Sequence, residues 1–213
     1  MYFCDNDYLH ETEKMMRSIP NFQARRNGVR ICKRDMDDCV RQQPPPHSYD
    51  EVIKATMAAV SYPPFVERIN LYIKEREKNE MNHYWSKRHK TTFEETIEKM
   101  DLNNYALISA IYLLTADLKL WRIMKHRITR NRIDFEGVKL GGIQENGYTF
   151  FCTAKDLYHG TKHLSISDLA DRKLISEKMF AIICTAMAIR RFGINAIQLA
   201  ERRELQYAES NDK

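Results

Sequence analysis

Two stretches of the chain lose their polar positions almost completely, and they organise the rest. Residues 106–116 are apolar except for Ser109 and Thr115, and between Met179 and Ile189 only Thr185 is polar. A helix apolar all the way round has no face for water, so each stretch predicts a helix buried in a bundle. Neither approaches the roughly 20 apolar residues needed to span a bilayer. From Leu118 onward the pattern changes. Leu120, Trp121, Met124 and Ile128 form one helical stripe, with Trp121 read as turned inward, while Lys119, Arg122, Lys125 and His126 fall on the other side.

The remaining pattern is also helical. A short helix is expected over Asp5–Ser18, with Pro20 beyond its end. Ser48 and Glu51 fit a capping box that opens a helix over Tyr49–Ser61. Pro63-Pro64 stops that helix and can start the next, amphipathic to about Lys78. Thr92-Phe93-Glu94-Glu95 reads as a second capping box, for a helix to about Met100. Ile133, Phe135 and Val138 suggest that the glycine-containing stretch 131–148 is pinned to the core or pairs briefly as strand. Further helices are expected over 149–159 with Gly160 as C-cap, from Ser165, over about 176–191 ending at Gly193, and over 194–207.

Two stretches read as linkers: 21–43 with the extended Pro44-Pro45-Pro46 after it, and the polar run 79–90. The expected organisation is an N-terminal helical module over 1–80 and a main helical domain over 81–213. The expected fold class is all-α, a bundle around two central apolar helices. Only 7 glycines and 6 prolines agree with long elements and few tight turns.

Charge adds a location. The net charge is +5. Residues 1–81 hold 13 Lys and Arg against 13 Asp and Glu, and residues 133–213 hold 11 against 11. Residues 82–132 hold 10 against 5, which is the whole excess. A local excess of this kind is the footprint expected for a polyanion or an acidic partner surface. The candidate binding set is Lys87, Arg88 and Lys90, then Lys119, Arg122 and Lys125, then Arg127, Arg130 and Arg132. The competing reading is a merely solvated helix face. No acid lies between Leu118 and Arg132, and Trp121 and His126 are interleaved there, which favours binding. Residues 1–20 contain no secretory apolar segment, so the expected location is cytoplasmic, with Cys4, Cys32, Cys39, Cys152 and Cys184 reduced.

Other chemistries are weighed and set aside. Cys4, His10, Cys32 and Cys39 lack the tight spacing of a structural zinc site. His159 and His163 lie four apart, but Gly160 interrupts the helix between them. Asp134, Glu136 and Lys139 resemble a nuclease cluster without the sheet that would present it. Leu164–Arg191 has the order of a helix-turn-helix, yet its second helix is too apolar to face a DNA groove. The expectation is a protein without catalytic residues, metal or cofactor.

Several segments carry a family resemblance: Asn104-Tyr105-Ala106-Leu107, Tyr112-Leu113-Leu114-Thr115-Ala116-Asp117, Ala154-Lys155-Asp156-Leu157-Tyr158, Ser167-Asp168-Leu169-Ala170-Asp171 and Ala188-Ile189-Arg190-Arg191-Phe192-Gly193. With Ile133-Asp134-Phe135 and Gly147-Tyr148-Thr149 they span about 82–197, and the segment before resembles an addition. Over this stretch the chain resembles small proteins of Gram-positive mobile genetic elements. That group is similar to anti-CRISPR proteins that block Cas9 of type II-A systems. The resemblance implies inhibition of Cas9 by binding, without catalysis, and affinity for double-stranded DNA. It assigns no residue a role. The alternative expectation is a non-enzymatic nucleic-acid-binding regulator of a mobile element. No membrane is expected as a partner.

Overall fold

The computed structural model describes residues 23–25, 28–30, 48–78 and 83–199. The chain divides into two compact units, Met1–Pro45 and Pro46–Lys213. In the first unit, β1 (Gln23–Arg25) and β2 (Gly28–Arg30) pair antiparallel, with Ala24 opposite Val29. The stretch 21–43 therefore contains a short antiparallel strand pair where a linker was expected. The expected helix 5–18, the three prolines and the Cys4, His10, Cys32 and Cys39 set lie outside the described residues.

The second unit is helical, and the all-α expectation holds there. Ser48 caps α1 (Tyr49–Met57) by accepting from the Glu51 amide at 3.3 Å. α2 (Pro63–Lys78) starts on its prolines. α3 covers Lys87–Ile97 and α4 covers Tyr105–Ala116, the latter capped by the Asn104 side chain. Asp117 is extended and ends α4. Its carboxylate accepts from the Leu120 amide at 2.8 Å and so caps α5 (Leu118–Met124). α6 covers Glu145–His159 and closes on left-handed Gly160. A complete capping box between Ser165 and Asp168 opens α7 (Ile166–Ala170). Ser176 caps α8 (Glu177–Phe192), and residues 195–199 are again helical. The C-terminal part of the expected helix 194–207 lies outside the described residues.

α4 is the centre of this bundle. Every residue from Leu107 to Ala116 is buried, and α4 packs against α3, α5, α6 and α8. α8 is the second apolar helix and receives α1 on another side. The expected pair of central helices is thus the observed core. Gly147 allows the start of α6 to come close to the α4–α5 junction. A Cβ there would meet Ile143 Cγ2 at 2.6 Å and Asp117 Cγ at 3.2 Å. Among the described residues no helix is long and apolar enough to cross a membrane.

The domain boundary expected at residue 80 is not where the chain divides. α1 and α2 lie in the same unit as residues 81–199, and their apolar faces belong to the same core. Tyr49 Oη bonds Thr185 Oγ1 of α8 at 2.6 Å. Phe65 and Tyr72 of α2 both meet Phe180 edge-on at 5.9 Å between centroids. The balanced charge of 1–81 suggested a separate module, but charge balance says nothing about which apolar faces meet.

The second capping box is also displaced. Thr92 and Glu95 lie inside α3, which begins at Lys87 under the cap of Ser86. The expected polar linker there holds buried His83, Tyr84 and His89. His89 is 1% exposed. Its Nδ1 accepts from the Trp85 amide at 2.9 Å, so Nε2 carries the proton and donates to the Tyr112 carbonyl at 2.7 Å. Burial lowers the His89 pKa to about 4, against the effect of that carbonyl bond. Burial, helped by the Arg76 charge, lowers that of His83 to about 3. Both rings are neutral parts of the core at neutral pH.

Candidate nucleic-acid interface

The basic surface is built by α5 and the turn and hairpin that continue it. Leu120 and Met124 point into the core, which leaves Lys119, Arg122 and Lys125 exposed. A 3-10 turn over Lys125–Arg127 then leads to a bridge between Ile128 and Ile133. The four residues between them form an exposed tip carrying Arg130 and Arg132, closed by the Thr129 amide donating to the Arg132 carbonyl at 2.9 Å. The Ile133 amide donates to Tyr158 Oη at 3.2 Å, and Ile133 and Phe135 are buried. Of the stretch 131–148, expected to be pinned or briefly paired, Ile133 and Phe135 are pinned in the core and Ile133 pairs with Ile128 just outside that stretch. The hairpin holds the two arginines on a frame anchored to α6.

The nine candidate cations separate into two kinds. Arg127 is half-buried and engaged internally, with Nη1 donating to Asp134 Oδ2 at 3.2 Å and to the Glu136 carbonyl at 2.7 Å. Lys90 pairs with Glu94 at 3.9 Å one turn on, and Lys119 donates to the Gly142 carbonyl at 3.4 Å. Lys87, Arg88, Arg122, Lys125, Arg130 and Arg132 are exposed and form no ion pair among the described residues. These six are the cations open to a partner.

α3 and α5 face each other across a groove, and Trp121 divides it into two hollows. One, of about 310 Å³, is lined by Trp85, Arg88, Thr92, Asp117 and Trp121 among others. The other, of about 250 Å³, is lined by Glu95, Lys99, Met100, Trp121, Lys125 and Ile128. The structure thus brings Arg88 and Lys125, distant in sequence, to opposite ends of one groove. Trp121 is half-buried between them instead of inside the core, as its stripe suggested. Lys99 and Trp85 join the groove without having been read as candidates. Trp85 was hidden in the expected linker, and its being one of only two tryptophans in the chain is the signal that marks it. Phe150 meets Trp85 edge-on at 5.4 Å, and Lys178 Nζ lies 4.6 Å from its ring centroid.

α3 carries its charge against its own dipole. Its first turn holds Lys87, Arg88 and Lys90 with no acid, while Glu94 and Glu95 lie toward its C-terminal end. Helices favour the opposite arrangement by about 0.3–1 kcal/mol per charge. Within the helix Lys90 is offset by its pairing with Glu94 one turn on, while Lys87 and Arg88 form no ion pair among the described residues.

The competing chemistries find structural explanations. Asp156 accepts from Thr161, from the amides of His163 and Leu164 and from His163 Nδ1 at 2.7 Å. Burial raises its pKa, but these bonds outweigh burial and leave it below the usual value. His163 therefore closes the turn after α6, while His159 packs on Phe135 and Tyr158. Asp134 holds Arg127 and accepts from the Glu136 amide. α8 is a core helix, and its terminal arginines tie neighbours together: Arg190 to the Leu157 carbonyl at 3.0 Å, Arg191 to the Ala55 carbonyl at 2.7 Å. Among the described residues no group of three His, Cys, Asp or Glu could hold a metal ion. Compared with models of known protein families, with curated proteins and with solved structures, the chain matches none.

Proposed function

We propose that this protein acts by binding, through the cationic surface of α3, α5 and the Ile128–Ile133 hairpin, and that its target is Cas9 or another nucleic-acid-handling protein together with its nucleic acid. The observation that carries this reading is a set of exposed cations without ion pairs among the described residues: Arg88 and Lys125 line the two hollows beside Trp121, and Arg122, Arg130 and Arg132 lie on α5 and the hairpin that continues it. Residues 118–132 contribute six cations and no acid, so a polyanion meets little repulsion along that segment. The resemblance to mobile-element proteins makes inhibition of a host nuclease the first role to test.

A cleavage assay with guide-loaded Cas9 of type II-A tests it. Stoichiometric protein is expected to suppress cleavage, and neutralising Arg122, Lys125, Arg130 and Arg132 together is expected to relieve suppression. Undiminished cleavage, with no association between the protein and guide-loaded Cas9, would remove Cas9 as the target.

A further inference from the structure

We infer that the hollow between Trp85 and Trp121 is a stacking site for an unpaired base, so that the nucleic acid taken by this face is single-stranded. The inference rests on the reading that the cationic face binds a polyanion, and it names which one. Both tryptophans of the chain line the same hollow, whose volume is about 310 Å³. Aromatic rings beside a cationic track are how single-strand binders hold bases without reading sequence, since every base has a face to stack. Arg88 lines this hollow, and Lys125 lines the second one on the far side of Trp121. A backbone following the groove would meet a cation on either side of the stacked base. Thr92 and Asp117 supply polar atoms to the same hollow, where a base edge would lie. A duplex keeps its base faces covered by their neighbours and cannot use a ring recessed between two helices.

The test uses the full chain and its own fluorescence. Because Trp85 and Trp121 are the only tryptophans, any change in indole emission reports on this hollow. The probes are oligo(dT) and oligo(U) of about 12 nucleotides, within the range single-strand binders cover, and a duplex of the same length. Binding of either single strand is expected to quench emission. Trp121→Leu is expected to weaken that binding roughly 5- to 150-fold, the cost of losing one base–aromatic stack, while Trp121→Phe retains most of it. Quenching by only one of the two strands would support the site and assign its sugar. Duplex binding as tight as single-strand binding, without a change in emission, would overturn the stacking site and leave the cationic face standing. Binding of neither form would overturn both. If Trp121→Leu fails to fold, the wild-type titration still decides, because saturation by a single strand with unchanged emission contradicts the inference.

Discussion

Two sets of arginines in this protein do opposite things. On α2, Arg68 is 2% exposed. Its guanidinium donates to the Leu169 and Ile175 carbonyls, pairs with Glu177 at 3.2 Å and lies 4.2 Å over the Phe180 ring. Arg76, eight residues on, lies 4.1 Å over the Tyr49 ring, contacts the Asp50 carboxylate at 3.4 Å and reaches His83 Nε2 at 2.9 Å. Each guanidinium finds partners inside the fold for its terminal nitrogens, while the buried Nε of each has no hydrogen-bond partner among the described residues. Across the unit, Arg122, Arg130 and Arg132 have exposed heads and no ion pairs among the described residues. Charge alone does not distinguish the two sets. What distinguishes them is whether the fold supplies acceptors: the first set builds the fold, and in the proposed function the second takes its acceptors from a partner.

The largest expected effect comes from the first set. Arg68→Ala orphans two buried carbonyls, at about 1–3 kcal/mol each, and should cost roughly 4 kcal/mol. Urea unfolding of the variant measures it. A loss below about 1 kcal/mol would mean that α2 is not latched in this way.

Acid acts on the same buried side. The lowered pKa values of His89, about 4, and His83, about 3, mean that the fold holds both rings neutral while the unfolded chain protonates them near 6.5. Stability from these two rings is fully present above pH 6.5 and is lost on acidification, down to about pH 4 for His89 and about pH 3 for His83. The His89 share is roughly 3 kcal/mol. Denaturant unfolding at a series of pH values should show this fall, and His89→Gln should flatten it.

These two regions also differed in how far the amino-acid pattern revealed them. α4 and α8 were legible because a run without a polar face can only be buried. Gly160, Ser165 and Gly193 marked helix ends through local chemistry. The start of α3 was misplaced because its first turns bury only His89 among cations, and the buried His83 and Tyr84 just before it sit in a stretch that reads as polar. Arg68 and Arg76 were invisible as core residues, since the acceptors of Arg68 lie more than 100 residues away and Arg76 is held by Asp50 of α1 and by His83 in a stretch that reads as a polar linker. The exposed cations were found by charge alone, and charge alone could not show that Arg127 is occupied by Asp134. The groove depends on α3 and α5 both packing on α4, an arrangement no spacing encodes.

A smaller effect, of opposite sign, sharpens the contrast. Lys87→Glu and Arg88→Glu place acids in the first turn of α3 and should stabilise the protein by about 0.3–1 kcal/mol each. The same changes should weaken nucleic-acid binding. Thermal unfolding and an oligonucleotide titration on one double variant test both halves. A variant that gains stability and keeps its affinity would show that these two cations are not held for a ligand.

The smallest effect on stability, and the largest expected on binding, belongs to the neutralised set Arg122→Gln, Lys125→Gln, Arg130→Gln and Arg132→Gln. Exposed substitutions of this kind change stability by only about ±0.5 kcal/mol each. The most direct measurement is therefore the salt dependence of oligonucleotide binding by the wild-type and quadruple variant proteins. The predicted result is a folded variant with weaker binding, whose slope of log affinity against log salt is shallower by about 0.7 per lost contact on a single strand, or about 0.9 on B-form DNA. Equal affinities and equal slopes would contradict the assignment of this face as the binding surface.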